Sequence, residues 1–335
     1  MAGGTGEAMA VELRGRHFIT TQEWSVDELE AALALARELK AAKREGRPTP
    51  LLPGKTLYMI FFDSSTRTRN SFETGMTQLG GHAIFLSPDK MQISHGENAK
   101  DTAKVLSRYG EGIAIRHCAF REGNAYLREV ARWADVPVLN MQCDVYHPCQ
   151  ILADFLTIRE RFGATRGLKL GVAWTSAPNY IRPLSVPQSL ILMMPRFGLD
   201  VTLAYPPEFA LMPEIEEQAR RNAAEAGVRF EISHRFEDAF AGADVVIPKS
   251  WGPLMHTTDK ATGLALIEKY PAWRCDAERM ALGKPHLAYM HPLPADRGRE
   301  VTDEVIDGPA SLVYDEAENR LHVQKALMAL TMGGC

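Results

Sequence analysis

Apolar residues along the chain fall into two alternating periods. Thr56 to Phe62 is an unbroken apolar run, the pattern of a strand buried on both faces. Asp63, Ser64 and Ser65 follow as N-cap residues, and Phe72, Met76 and Leu79 then recur at helical spacing. This strand–turn–helix unit has companions on both sides. Ser25 and Glu28 form a capping-box signature ahead of Leu29, Ala32, Leu33 and Ala36, in a helix that ends near Gly46 and Pro48. Residues 1 to 20 read as an irregular lead-in. After Gly80-Gly81 the pattern predicts strands over 82–86, 112–116 and 136–140, helices over 98–109 and 124–133, and a loop over 87–97. A helix then runs from Pro148 to Arg161, proline suiting its first turn. The second half repeats the alternation, with strands over 168–174, 201–205, 228–232, 243–247 and 286–290. Helices are predicted over 187–197, 213–225 and 316–330. Strands alternating with helices throughout predict an α/β protein with two doubly wound parallel-sheet domains. The predicted boundary lies in the helix near 150–162.

Composition narrows the function classes. At 335 residues the chain suits two domains, and a net charge of −4 argues against a general nucleic-acid binder. No apolar run approaches the ~20 residues of a membrane span. The N-terminus lacks a basic stretch followed by an apolar one, so no signal peptide is predicted. Five cysteines form no paired C-x-x-C motif, and reduced thiols in a cytoplasmic protein are the expectation.

In parallel sheets ligands bind beyond the carboxyl ends of the strands. Ser65, Thr66, Arg67 and Thr68 follow the first strand, with Arg67 and Arg69 in the first helical turn. A cation there opposes the helix dipole at a cost of roughly 0.3–1 kcal/mol. Free N–H groups, hydroxyls and guanidinium groups together therefore make a site for a phosphate dianion. Arg116 ends a strand, His147-Pro148-Cys149-Gln150 opens a helix, Lys249-Ser250-Trp251 follows a strand, and His291-Pro292-Leu293-Pro294 follows the last long one. The set suits an anionic substrate whose carbonyl gains charge during reaction. Each member also has a plain structural reading. Arg116 is then a surface residue, His147 a helix cap, Lys249 a solvated strand end and 291–294 a stiff turn. Cys143, His147 and Cys149 match no zinc spacing. The chain has no Gly-x-Gly-x-x-Gly after a strand, no Walker motif and no nucleophile elbow.

Together these motifs resemble the aspartate/ornithine carbamoyltransferase family. The matching pieces are Ser65-Thr66-Arg67-Thr68-Arg69, Arg116, His147 to Gln150, His291 to Pro294 and Glu318-Asn319-Arg320, in the family's order. The resemblance implies a carbamoyl-phosphate domain over 1–150 plus 316–335 and an acceptor domain over 151–315. It also implies a homotrimer with active sites shared between subunits. Ser65, Thr66, Arg67 and Thr68 would hold the phosphate, and Arg116 would bridge it to the carbamoyl oxygen. His147 and Thr68 would donate to that oxygen, Gln150 and the Leu293 carbonyl would hold the –NH2, and Arg320 would add positive charge. Gln92 lies in a stretch similar to the family's loop that reaches into the neighbouring subunit's site. A neutral amine would add to the carbamoyl carbon and phosphate would leave, with no cofactor or metal required.

The acceptor side departs from the family pattern. Where ornithine enzymes carry an aspartate before Ser-Met-Gly, this chain has Lys249-Ser250-Trp251-Gly252. A cation in place of an anion favours an acceptor that is anionic or acylated at that end. Lys249, Ser250, Trp251, His291, Pro292 and Leu293 are the candidate acceptor contacts. Lys-Ser-Trp-Gly resembles the N-acylornithine carbamoyltransferases and the YgeW-type carbamoyltransferases. Ser176 to Tyr180 and Pro183 to Gln188 extend the second likeness. Those groups are knotted, which implies a trefoil knot in the second domain, with residues 177–187 crossed by the chain near His291. Glu300 stands where the N-acetylornithine enzymes have a modified lysine, which counts against acetylornithine itself. The expected activity is carbamoyl transfer from carbamoyl phosphate to an amino acid or related amine. Ornithine or an N-acylornithine is the alternative acceptor, and a non-catalytic carbamoyl-phosphate-binding regulator is the alternative of another class.

Overall fold

The computed structural model describes residues 12–177 and 181–333. Helix α1 (Val26–Arg44) leads into a sheet of four parallel strands: β1 (Thr56–Phe61), β2 (His82–Leu86), β3 (Gly112–His117) and β4 (Val138–Cys143). Helices α2 (Thr66–Gln78), α3 (Ala99–Leu106) and α4 (Gly123–Trp133) connect them, and α5 (Pro148–Phe162) leaves the sheet. The second sheet has five parallel strands: β5 (Lys169–Trp174), β6 (Asp200–Ala204), β7 (Phe230–Ser233), β8 (Val245–Lys249) and β9 (Ala288–Tyr289). Its helices are α6 (Ser185–Met193), α7 (Pro213–Ala226), α8 (Lys260–Ile267), α9 (Ala277–Met280) and α10 (Asp303–Ile306). The last helix, α11 (Val313–Met332), packs against α1, α2 and α5.

Local chemistry accounts for these elements. Ser25 and Glu28 complete the reciprocal capping box of α1. Leu57, Met59 and Ile60 in β1 are wholly buried, as an all-parallel sheet covered on both faces requires. Helix α6 is buried all round, and α5 is buried from Pro148 to Ile158. A hydrophobic stripe could not have that burial; both helices lie between layers. Helices α2 and α11 cross closely, since a Cβ added at Gly75 would stand 2.8 Å from Met328 Cε. A larger residue at 75 would force the Met328 side chain to move.

Sheet order creates the place for a ligand. The first sheet runs β2-β1-β3-β4, so the chain reverses direction of winding between β1 and β3. The second runs β7-β6-β5-β8-β9 and reverses between β5 and β8. Each reversal opens a crevice at the strands' carboxyl ends.

Several boundaries differ from the sequence expectation. The strand placed over 136–140 is β4 at Val138–Cys143; Pro137, with no N–H to donate, joins the pairing only through its carbonyl, which accepts from the Ile113 N–H at 3.0 Å. The strand placed over 286–290 keeps only Ala288–Tyr289, and that over 243–247 shifts to Val245–Lys249. The helix at 187–197 starts at Ser185 and turns 3-10 over Met194–Phe197, where Pro195 stops it. The last helix begins three residues early, at Val313. The loop over 87–97 contains two 3-10 turns, Pro88–Lys90 and Gln92–His95. Short α8, α9 and α10 were not expected. Most of the lead-in and part of the 177–187 loop (residues 1–11 and 178–180) lie outside the described residues. Among the described residues no helix is long and apolar enough to cross a membrane.

Candidate active site

The two crevices face one cleft of about 790 Å³. Its walls include Phe62 to Thr68 after β1, Arg116 on β3, Arg182 and Pro183 after β5, and Lys249 and Ser250 at the end of β8. Gln142 of β4, His147 before α5, Val186 of α6, Pro292 to Pro294 after β9 and Arg320 of α11 complete the lining. Five cations meet here (Arg67, Arg116, Arg182, Lys249, Arg320), against one lining carboxylate, Asp63. That carboxylate is engaged, accepting the Cys118 N–H at 2.6 Å.

At one end Ser65 caps α2, its hydroxyl accepting from the Thr68 N–H at 3.3 Å. Arg67 projects from the first turn into the cleft, and burial lowers its pKa, with Arg116 and Arg182 lowering it further. Arg116 donates to Gln142 Oε1 at 2.5 Å, and Gln142 is held by Ser185 at 2.9 Å. The Arg116 Nε is buried without a partner. Arg320 reaches across from α11 to Thr68 Oγ1 at 3.0 Å and Gln150 Oε1 at 2.5 Å. Burial pushes Arg320 down to about 10. None of these three arginines has a carboxylate partner in a salt bridge among the described residues, and the arrangement suits an external anion. Arg69, expected beside Arg67, points elsewhere: it bonds Glu73 at 2.9 Å and lies 3.9 Å from the centroid of the Phe85 ring.

Between the ends lie groups suited to a carbonyl. His147 starts α5, but its side chain makes no capping bond, so the plain capping reading fails. Its backbone N–H is held by Ser189, and its Nδ1 is buried without a partner. Burial, with Arg320, Arg116 and Arg67 nearby, drives its pKa well below the usual value. The ring is therefore a neutral hydrogen-bonding group at pH 7. Leu293 lies in the left-handed region at φ 45°, at a cost on the order of 1–3 kcal/mol. Its N–H donates to His291 Nδ1 at 2.9 Å, which holds the turn against the cleft. Gln150 lies one step back, lining a small adjoining cavity that shares Arg67, Pro292 and Arg320 with the cleft.

The other end is organised by Glu300, which is wholly buried. It pairs with Arg182 at 2.5 Å and Lys249 at 3.4 Å, and accepts the N–H groups of Ser250 and Asp296, each at 2.8 Å. Arg182 also meets Asp296 at 3.1 Å. Lys249 is thus no solvated strand end, since it is only 6% exposed. Burial pushes it down to about 8, against the pull of Glu300. Burial likewise holds His291 at about 4, neutral beside Glu300.

Besides Gln150, three expected residues lie off the cleft wall. Trp251 is a core residue, its Nε1 bonded to the Phe209 carbonyl and its ring near Tyr205. His291 is wholly buried and supports the Leu293 turn from behind. Gln92 is exposed on a 3-10 turn and does not line its own chain's cleft. Arg182 and Gln142 line the cleft and were missed. The only signal for Arg182 was an arginine before Pro183 beyond a strand end, and Gln142 was hidden by the misplaced end of β4.

Comparison with known proteins agrees with this layout. A family model described as the aspartate/ornithine carbamoyltransferase carbamoyl-P binding domain matches residues 16–160, and one described as the Asp/Orn binding domain matches 183–331. An ornithine carbamoyltransferase of Carboxydothermus hydrogenoformans is 42% identical over 97% of this chain and 100% of its own length. The solved ornithine carbamoyltransferase of Pyrococcus furiosus has a TM-score of 0.88 at 38% identity, over 97% of this chain and 100% of that one. A solved acetylornithine transcarbamylase complexed with acetylcitrulline has a TM-score of 0.87 at 37% identity, over 94% and 98%.

Proposed function

The chain belongs to the aspartate/ornithine carbamoyltransferase family and is a carbamoyltransferase, and from that premise we propose that it carbamoylates the side-chain amino group of an ornithine-like acceptor whose α-amino group is acylated or absent. The observation that carries this reading is the charge layout of the cleft. One end offers unpaired cations at a helix N-terminus, and the other offers cations but no free carboxylate for an α-ammonium group.

In this reading the phosphate lies at the start of α2 on Ser65, Thr66, Arg67 and Thr68, and Arg116 bridges it to the carbamoyl oxygen. Neutral His147 and Thr68 donate to that oxygen, so negative charge developing there meets donors already in place. Gln150 and the Leu293 carbonyl take the two N–H groups, fixing the carbamoyl plane. Arg320 holds Gln150 and Thr68 and adds positive charge. The acceptor amine, neutral when it attacks, adds to the carbamoyl carbon; the tetrahedral adduct collapses, the C–O bond to phosphate breaks, and the proton lost by the amine goes to the departing phosphate. The acceptor's carboxylate is met by Lys249, Arg182 and Ser250. Gln92 serves a neighbouring copy's site in a homotrimer, the acceptor domain is knotted as in the YgeW-type enzymes, and the domains divide at residues 150 and 316.

Plain ornithine is the second reading, favoured by the names of the relatives at about 40% identity. Phosphate release from carbamoyl phosphate with ornithine, N-acetyl- and N-succinylornithine, 5-aminovalerate and aspartate separates the two. Turnover with an acylated or amino-less acceptor, lost in Arg67→Ala, is the expected result. Turnover with ornithine alone overturns the acceptor assignment and keeps the reaction.

A further inference from the structure

The cleft is backed by a pair of carboxyls that the reaction as outlined does not use. Asp154 of α5 and Glu316 of α11 are both wholly buried. Gln150 Nε2 donates to Asp154 Oδ1 at 2.7 Å and to Glu316 Oε1 at 2.8 Å. Glu316 Oε2 accepts the His291 N–H at 2.8 Å, and Asp154 Oδ2 has no partner among the described residues. The nearby guanidinium of Arg320 is committed to Gln150 and Thr68. Adjacent buried carboxyls so placed do not both stay ionised, so one proton remains between them.

We infer that Asp154 and Glu316, sharing one proton, are positioning residues that lock the Gln150 amide with its oxygen on the Arg320 side, so that Gln150 meets the substrate only as an acceptor of N–H. The inference rests on the proposal that Gln150 holds the carbamoyl –NH2. Both Gln150 N–H groups are consumed by the carboxyls, and its oxygen, with two lone pairs, gives one to Arg320 and keeps one. A flipped amide would set its N–H groups against a guanidinium and its oxygen against carboxyl oxygens holding a single proton. The spare lone pair has room beside it, since Gln150, Arg67, Pro292 and Arg320 line the adjoining cavity, about 10 Å³ in volume. Glu316 also fixes the turn carrying Leu293, so both proposed holders of the –NH2 depend on one carboxyl.

Such a lock discriminates –NH2 from a group of the same size that cannot donate. The groups facing the pair are Gln150 on α5, Arg320 on α11, Arg67 on α2, and Tyr289 and the His291 N–H at the end of β9. Burial raises both carboxyls above their usual range, Asp154 to about 7, and Arg320 opposes the rise. A second negative charge, gained as pH rises, draws Arg320 away from Gln150 Oε1, so the amide oxygen loses the contact that aims it at the substrate.

The test measures competitive binding of carbamoyl phosphate, acetyl phosphate (methyl in place of –NH2) and inorganic phosphate to the full chain. In Glu316→Gln the preference for carbamoyl over acetyl phosphate should fall about tenfold, with inorganic phosphate unchanged. In the wild type the preference should decline as pH rises above 7. Asp154→Asn, which mimics the protonated partner, should keep the preference and remove that decline. A preference retained in Glu316→Gln, or an alkaline decline still present in Asp154→Asn, overturns the inference. If Glu316→Gln does not fold, the wild-type and Asp154→Asn profiles decide the matter. Gln150→Leu separates the layers: a preference intact there means that Gln150 does not hold the –NH2, whatever the pair does.

Discussion

The two ends of the cleft carry the same sign of charge and treat it in opposite ways. At the β1–β3 crevice Arg67, Arg116 and Arg320 converge with no carboxylate partner, although burial lowers the pKa of Arg67 and Arg320. At the β5–β8 crevice Arg182 and Lys249 are answered from inside the protein by Glu300 and Asp296. An uncompensated cluster costs stability that a bound dianion returns, so the first end is built for a ligand carrying its own charge. The second end has its counter-charge already, so attraction to an anion is weaker there. On the proposed function, selection at that end would rest on hydrogen bonds and on there being no free carboxylate for an ammonium group among the described residues.

The sharpest break of this contrast is removal of one charge from each end. Arg67→Ala should cut carbamoyl transfer by on the order of 10³, about 4 kcal/mol of transition-state binding, and leave the unliganded protein as stable as before or more so. Glu300→Ala should do the reverse in kind, destabilising by about 3–5 kcal/mol because Lys249 is left buried without a carboxylate and Arg182 keeps only Asp296. Steady-state rates and chemical denaturation of both variants check the pair. If Arg67→Ala unfolds as easily as Glu300→Ala, the open end is structural and the contrast fails.

His147 sharpens the picture of the open end. Its pKa is depressed, so the ring is neutral across the neutral range and charges only as pH falls well below 6.5. His147→Asn should lower kcat by about 10²-fold. In the wild type the rate should show no limb from this residue between pH 6 and 8. A wild-type limb near pH 6.5 that vanishes in the variant would mean that burial and the three arginines do not depress the ring.

How much of this was legible in the sequence follows the same divide. The open end was readable because its chemistry is local: a strand, capping hydroxyls and a misplaced arginine at a helix start lie within a dozen residues. Even there Arg67 and Arg69 looked equivalent, and only the 3.6-residue turn sends one to the cleft and the other to Glu73 and Phe85. Strand alternation gave both sheets, but strand order, and hence both crevices, depends on long-range pairing that no local pattern encodes. The closed end was poorly legible for that reason. Lys249 and Arg182 stand 51 and 118 residues from Glu300 along the chain and meet it only in the folded protein. Trp251 was expected as a substrate contact from the Lys249-Ser250-Trp251 stretch, yet it lies beyond the end of β8, where its Nε1 donates to the Phe209 carbonyl and its ring joins the core.

The smallest expected effect comes from Lys249→Met, and it asks how closed the closed end is. Burial lowers Lys249 from the usual 10.5 to about 8, so the folded state disfavours the cation despite Glu300. A depressed pKa means a contribution to stability that is present above pH 10.5 and lost as pH falls through 8. Methionine removes that penalty and also removes one partner of Glu300, which keeps Arg182 and two backbone N–H groups. The two changes oppose each other, so the variant should stay within about 1 kcal/mol of wild type at pH 7 and compare less well at pH 10 than at pH 7. The KM for the acceptor should rise about tenfold, near 1.4 kcal/mol, with carbamoyl phosphate binding unchanged. A stability loss as large as that of Glu300→Ala would show that lysine and glutamate depend on each other for their burial. The acceptor end would then owe its charge balance to one ion pair, and Arg182 alone could not hold Glu300 in place.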